Sequence, residues 1–155
     1  MVCPRRGIRI EAFRLAYVGR VISMHIRREF RPSPAIGRLT RQALDGWLSD
    51  LVGEETAAAA RLAACELVDN AVRHGGLSEQ DTIRLSGVAT DEIVRIEVEQ
   101  PSSTAEAHVV APGEREPIDG GFGLRIVEEL ATKWGVRQGT PGAVWFEVDR
   151  DAPKP

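Results

Sequence analysis

The sequence predicts an α+β fold, a two-layer sandwich with helices packed on one face of a mixed, mostly antiparallel sheet. Three observations predict it. An alanine-rich run over residues 54–74 has strong helical character and ends at a glycine pair. Two runs, Thr82 to Val88 and Ile93 to Val98, alternate apolar and polar residues across a short polar turn, the pattern of an antiparallel hairpin. Further strand-like segments lie near both ends of the chain, with helical segments between and no internal repeat.

A chain of 155 residues with 43% hydrophobic content can bury one sizeable core but is short for two. Its formal net charge of -3 supplies no global attraction for nucleic acid or an anionic membrane, so a protein partner or a small ligand is expected instead. Cys3 and Cys65 form no Cys-x-x-Cys pair, which argues against a disulfide framework or a zinc site and fits a cytoplasmic location. No apolar run reaches the roughly 20 residues of a membrane span.

In chain order, residues 1–24 read as an N-terminal arm. The basic stretch from Arg5 to Arg31 is a solvated tail or, alternatively, a partner-binding arm, and Met24 is an alternative start. His25 to Phe30 reads as a strand, broken by Pro32-Ser33-Pro34. From Ala35, the residues Ile36, Leu39, Ala43, Leu44, Trp47, Leu48 and Leu51 recur at helical spacing as far as Val52-Gly53, with Arg38 and Arg41 on the more exposed side. Glu54 to His74 follows as the strongest helix, with Leu62, Cys65, Val68 and Val72 on its apolar face.

After the hairpin, residues Pro101 to Gly121 lose all periodicity and carry Pro101, Pro112 and Pro117. A loop of that length suggests a lid. Phe122 to Thr132 returns to helical spacing, and strands near Trp134 to Arg137 and Ala143 to Val148 flank the turn Gly139-Thr140-Pro141-Gly142. The expected organisation is one domain over 25–149, preceded by the arm and followed by a tail over 150–155.

The chemistry concentrates in two places. Glu66, Asn70 and His74 are four residues apart, so they stack along one helix face and can converge on one ligand. Singly, each has an ordinary reading as a solvated residue or a helix cap. Together they make a face too polar for core, in which Glu66 suits a general base and the Asn70 amide oxygen suits magnesium. The second place is Asp119-Gly120-Gly121-Phe122-Gly123-Leu124, where a long loop meets a helix. Glycines there let backbone N–H groups approach an anion at a helix N-terminus, although a hinge or turn would read the same.

Glu66-x-x-x-Asn70-Ala71-x-x-His74-Gly75, then Gly121-x-Gly123-Leu124-x-x-Val127 and finally Val144-Trp145-Phe146-Glu147, resembles the histidine-kinase-like ATPase superfamily, and within it the small bacterial anti-sigma-factor serine kinases, over about residues 25 to 149. The resemblance implies a protein that sequesters an alternative sigma factor and uses ATP and Mg2+ to phosphorylate a serine on an anti-anti-sigma partner of the STAS type. It implies Glu66 as the catalytic residue and Asn70 as the metal ligand. The implied cofactor-binding set is Asn70, Arg73, His74, Gln100, Gly121, Phe122, Gly123 and Leu124, and Arg38 is implied at a partner surface. Dimerisation is common in the family, so a homodimer is a further expectation.

Two departures stand out. The family closes the second hairpin strand with an aspartate that recognises adenine, where this chain has Gln100, and a threonine near the end is replaced by Ala143. Both are expected to weaken the base pocket. They keep open an alternative function, a non-catalytic sigma-binding module of the same fold with a degenerate nucleotide site. A stand-alone ATPase or detached histidine-kinase domain is a third reading, disfavoured because His25, His74 and His108 do not sit on a dimerising helix pair.

Overall fold

A computed structural model describes residues 16–18, 21–101 and 122–150. The first two strands are β1 (Ala16–Val18) and β2 (Val21–Phe30). Two helices follow, α1 (Ile36–Leu48) and α2 (Glu54–His74), then the hairpin of β3 (Ile83–Ala89) and β4 (Ile93–Gln100). Helix α3 (Phe122–Leu130) and strands β5 (Lys133–Arg137) and β6 (Gly142–Asp149) are the last of the described elements. The sheet has the order β1-β2-β3-β4-β6-β5.

Every pairing in that sheet is antiparallel, so the expected mixed character is not found among the described strands. The first long strand also begins earlier than His25. Residues 21–24 already belong to β2, and Val21 to Ser23 pair with β1. The alternation that marks a strand is blurred there by Ser23 beside Met24, which hid the start from a purely periodic reading.

The sheet has one dry face and one charged face, as the period-two alternation of its strands requires. Ile83, Leu85, Val94, Ile96, Val98 and Phe146 point to the helices and are buried. The opposite face is laced with ion pairs. Arg84 bonds Glu99 at 2.6 Å and Glu29 at 3.1 Å, while Arg137 reaches Glu97 at 2.8 Å and Glu99 at 3.0 Å. Arg95 bonds Glu147 at 2.7 Å and lies 3.9 Å above the Trp145 ring.

The three described helices pack on the dry face. Helix α2 lies centrally, against α1, α3, β4 and β6. Its ends suit its dipole, with Glu54 and Glu55 in the first turn and Arg73 and His74 in the last. Small residues Ala57, Ala60, Ala63 and Ala64 are buried along it and let its neighbours approach closely. Leu62, expected on its apolar face, is instead 46% exposed, because the buried stripe runs through those alanines and Leu67, Val68 and Ala71. The indole of Trp47 of α1 reaches Gly87, where a Cβ would come within 2.7 Å of its Cη2. Arg150 links the β3–β4 turn to the α1–α2 connection, donating to the carbonyls of Thr90 at 2.6 Å and of Leu51.

Candidate functional site

Glu66 and Asn70 are half-buried on α2 and lie one helical turn apart. The first turn of α3 comes down on this face. A Cβ on Gly123 would stand 3.0 Å from Glu66 Oε2, 3.7 Å from Glu66 Cβ and 3.8 Å from the Glu66 carbonyl oxygen. The glycine is therefore what lets the start of α3 sit on the Glu66 carboxylate. Gly123 and Glu66, 57 positions apart by subtraction of their numbers, are brought together by the fold.

His74 occupies the last turn of α2, half-buried, and Gly75 follows it as the buried C-cap. The end of β4 closes on this point. A Cβ on Gly75 would fall on the Ala71 carbonyl oxygen and stand 2.8 Å from Gln100 Oε1. Gln100, 9% exposed, thus extends from the dry face of the sheet to the C-terminal end of α2. Its partner across β6 is Gly142, also buried, so no side chain opposes the amide from that strand.

Other expected site residues fall elsewhere. Arg73 is exposed and is held by Asp69, 2.9 Å away across one turn of α2. Leu124 packs against the core. Arg38 is exposed on α1. Phe122 opens α3, but its side chain, like residues 102–121 of the lid expected at 101–121, lies outside the described residues. Cys65 sits where α1 meets α2, its Sγ 4.0 Å from the Gly37 carbonyl, and burial pushes its thiol up from the ordinary value.

Ala143 does not belong to the base pocket. It pairs with Glu99 and with Arg137, whose side chains lie on the charged face, and Arg137 crosses above it to reach β4. The helix-facing position beside Gln100 is Gly142. Strand parity carries this distinction: Val144, Phe146 and Val148 alternate with Ala143, Trp145 and Glu147, and a shift of one residue changes the face. That signal was present in the sequence.

Among the described residues, no three His, Cys, Asp or Glu side chains are grouped to hold a metal ion. A cation here would draw most of its oxygens from elsewhere. No helix of the described residues is long and apolar enough to cross a membrane.

A family model for the histidine kinase-like ATPase domain matches residues 30–146 of the chain. The chain belongs to that family. Membership brings nucleotide binding to a fold already seen to gather Glu66, Gly123, Gly75 and Gln100 on the helical side of its sheet. Among solved structures, this ATPase domain is similar to the crystal structure of the RsbU and RsbW domains of Rv1364c from Mycobacterium tuberculosis, with a TM-score of 0.61 and 21% identity. The match covers 83% of this chain and 33% of that one, so the chain spans about a third of that structure's length. At this identity the likeness concerns the fold. No curated protein matches the chain.

Proposed function

We propose that this ATPase domain is a cytoplasmic anti-sigma factor, which sequesters an alternative sigma factor and transfers the ATP γ-phosphoryl group to a serine of an anti-anti-sigma partner of the STAS type. The observation that carries the reading is the seating of the α3 start on Glu66, which sets a carboxylate beside a helix N-terminus. Family membership supports the ATP, and the RsbW domain named in the similar structure is in keeping with the regulatory role.

On this reading each residue has a defined task. The backbone N–H groups at the start of α3 receive the phosphate oxygens, and the glycine at 123 lets that turn lie against Glu66. Glu66 accepts the proton of the partner serine hydroxyl as its oxygen attacks the γ-phosphorus. Asn70 presents a neutral amide oxygen, a donor that fits Mg2+, which keeps much of its water and is usually shared with phosphates. When bound, the ion neutralises charge on the phosphate oxygens. His74 and Gln100 border the end of the site nearest the base, Gly121, Phe122 and Leu124 border the α3 side, and Arg73 and Arg38 serve the outer edge and a partner-facing surface.

The test is titration of the protein with ATP and Mg2+, followed by phosphoryl transfer to a cognate partner, each beside Asn70→Ala. Micromolar ATP binding with transfer lost in Asn70→Ala is expected. Normal transfer by Asn70→Ala would remove the magnesium role. Gln100, an amide where the family has a carboxylate, favours the second reading, a sigma-binding module without catalysis. Tight sigma binding by a folded protein with no ATP affinity would select it.

A further inference from the structure

Two features of β2 stand apart from the nucleotide site. The first is an open strand edge. β1 pairs only with Val21 to Ser23, while Met24 to Phe30 pair with β3 on one side and with no described strand on the other. A free edge presents a row of backbone N–H and C=O groups with which another extended chain can pair.

The second is unmatched charge. Every described arginine from Arg61 to Arg150 has a carboxylate within 4.0 Å. Arg27, Arg28, Arg31, Arg38 and Arg41 have none among the described residues, and Arg28 donates only to the Arg27 carbonyl, at 2.9 Å. Arg38, the partner-facing residue proposed above, and Arg41 lie on α1. The other three stand along the open edge. Arg27 and Arg28 are successive residues of β2, so one rises on each face of the sheet, and Arg31 follows at the strand's end. Glu29, the one acid in this stretch, is already bound to Arg84 of β3 at 3.1 Å.

That charge decides what the edge admits. A second copy pairing edge to edge would bring like arginines together, which is how charged edges deter self-association. The chain's own residues 1–15 carry Arg5, Arg6, Arg9 and Arg14 against Glu11 alone, the same sign again. An acidic strand is attracted where both of these are repelled, and the planar arginine fork takes a carboxylate through two parallel hydrogen bonds. We propose that the free edge of β2 binds an extended acidic segment of another protein, which adds to the sheet beside Met24–Phe30 and sets its carboxylates against Arg27, Arg28 and Arg31. Backbone hydrogen bonds would supply the strand pairing and the arginines the selectivity. The inference is independent of whether the domain binds ATP.

The experiment titrates the full chain with a blocked fluorescent peptide in which Glu-Glu pairs alternate with Val-Thr pairs, so that each face of the added strand carries acid. Binding should weaken about tenfold or more when glutamine replaces glutamate in the peptide, and about fivefold in Arg27→Glu and in Arg28→Glu. Arg125→Glu, the same charge change on α3, should bind within about twofold of wild type. If Arg28→Glu lowers the melting temperature, Arg28→Gln is measured in its place. Hydrogen exchange of the β2 amides that do not bond to β3 should slow when the peptide binds. Equal binding by a peptide with proline in place of valine, which keeps the charge but cannot pair as a strand, would overturn the inference. So would equal weakening by Arg125→Glu, or single-stranded DNA of the same charge binding at least about tenfold more tightly than the peptide. Exchange already slow in the free chain, with no peptide binding, would mean that the chain's own arm or a second copy fills the edge, and would overturn it as well.

Discussion

Gly123→Ala should separate the stability of the first turn of α3 from its chemistry. Alanine is favoured over glycine in a helix interior by about 0.8–1 kcal/mol, and a first-turn position retains roughly half of that. Against this gain stands one contact. The new Cβ would meet Glu66 Oε2 at 3.0 Å, while its next neighbours lie at ordinary distances of 3.7 and 3.8 Å. The carboxylate is the free end of a flexible side chain, and moving it off its rotamer costs about 0.5–1.5 kcal/mol. The two effects nearly offset, so stability should change by less than about 1 kcal/mol, or about 2–4 °C in melting temperature for a chain of this size. Turnover should respond differently. A general base must lie within about 2.6–3.2 Å of the proton it removes and contributes about 10²–10⁴ in rate, so its displacement should cost turnover tenfold or more. The backbone N–H of residue 123 is unchanged by the substitution, so ATP affinity should hold within about threefold. Thermal melting, ATP titration and the rate of phosphoryl transfer to a serine partner check the three parts. Full turnover in Gly123→Ala, or a stability loss above about 2 kcal/mol, would refute the reasoning.

The scaffold and the other face of the sheet yield two more expectations. Gly87→Ala would drive a Cβ to 2.7 Å from Trp47 Cη2 and 2.8 Å from Ile26 Cγ2. Overpacking of this kind costs about 1–3 kcal/mol, read as a lower urea midpoint, and Trp47→Leu in the same chain should recover part of it. Ala143→Thr should leave ATP affinity unchanged, because the residue lies beneath Arg137 on the charged face. Ala143 is 1% exposed, so the added atoms must displace a neighbour, and stability should fall by about 1–3 kcal/mol. A tenfold gain in ATP affinity would return Ala143 to the base pocket.

The elements were legible wherever one period dominated. The expected helix at 54–74 is α2 with the same ends, because acidic residues open it and Gly75-Gly76 closes it. The hairpin appeared within one or two residues of its expected limits, since polar residues alternate with Ile83, Leu85, Val94, Ile96 and Val98 on both strands. Leu62 was misplaced for a physical reason. In a helix whose buried stripe is built from alanine, side-chain size no longer reports which face is inward, and the largest apolar residue can be the exposed one. Beyond that hairpin, the antiparallel pairing of the described strands follows from tertiary arrangement, which local patterns do not carry.

The site was legible in its residues and less so in their neighbours. Helical spacing alone placed Glu66, Asn70 and His74 on one face, and the glycine motif, expected to admit an anion, has its Gly123 packed closely against Glu66. No local pattern tells that the close approach is to Glu66, because that contact joins α2 to α3 across a long intervening segment. The strands add a parity argument. Gln100 shares the face of Val98 and Ile96, and across β6 it meets Gly142, whereas Ala143 meets Glu99 on the charged face. A reading by motif, aligning residue types without asking which way each strand residue points, assigns both Gln100 and Ala143 to one pocket. A reading by pleat separates them. The consequence is specific: of the two departures from the family pattern, only the one at Gln100 touches the side of the sheet where a nucleotide would lie.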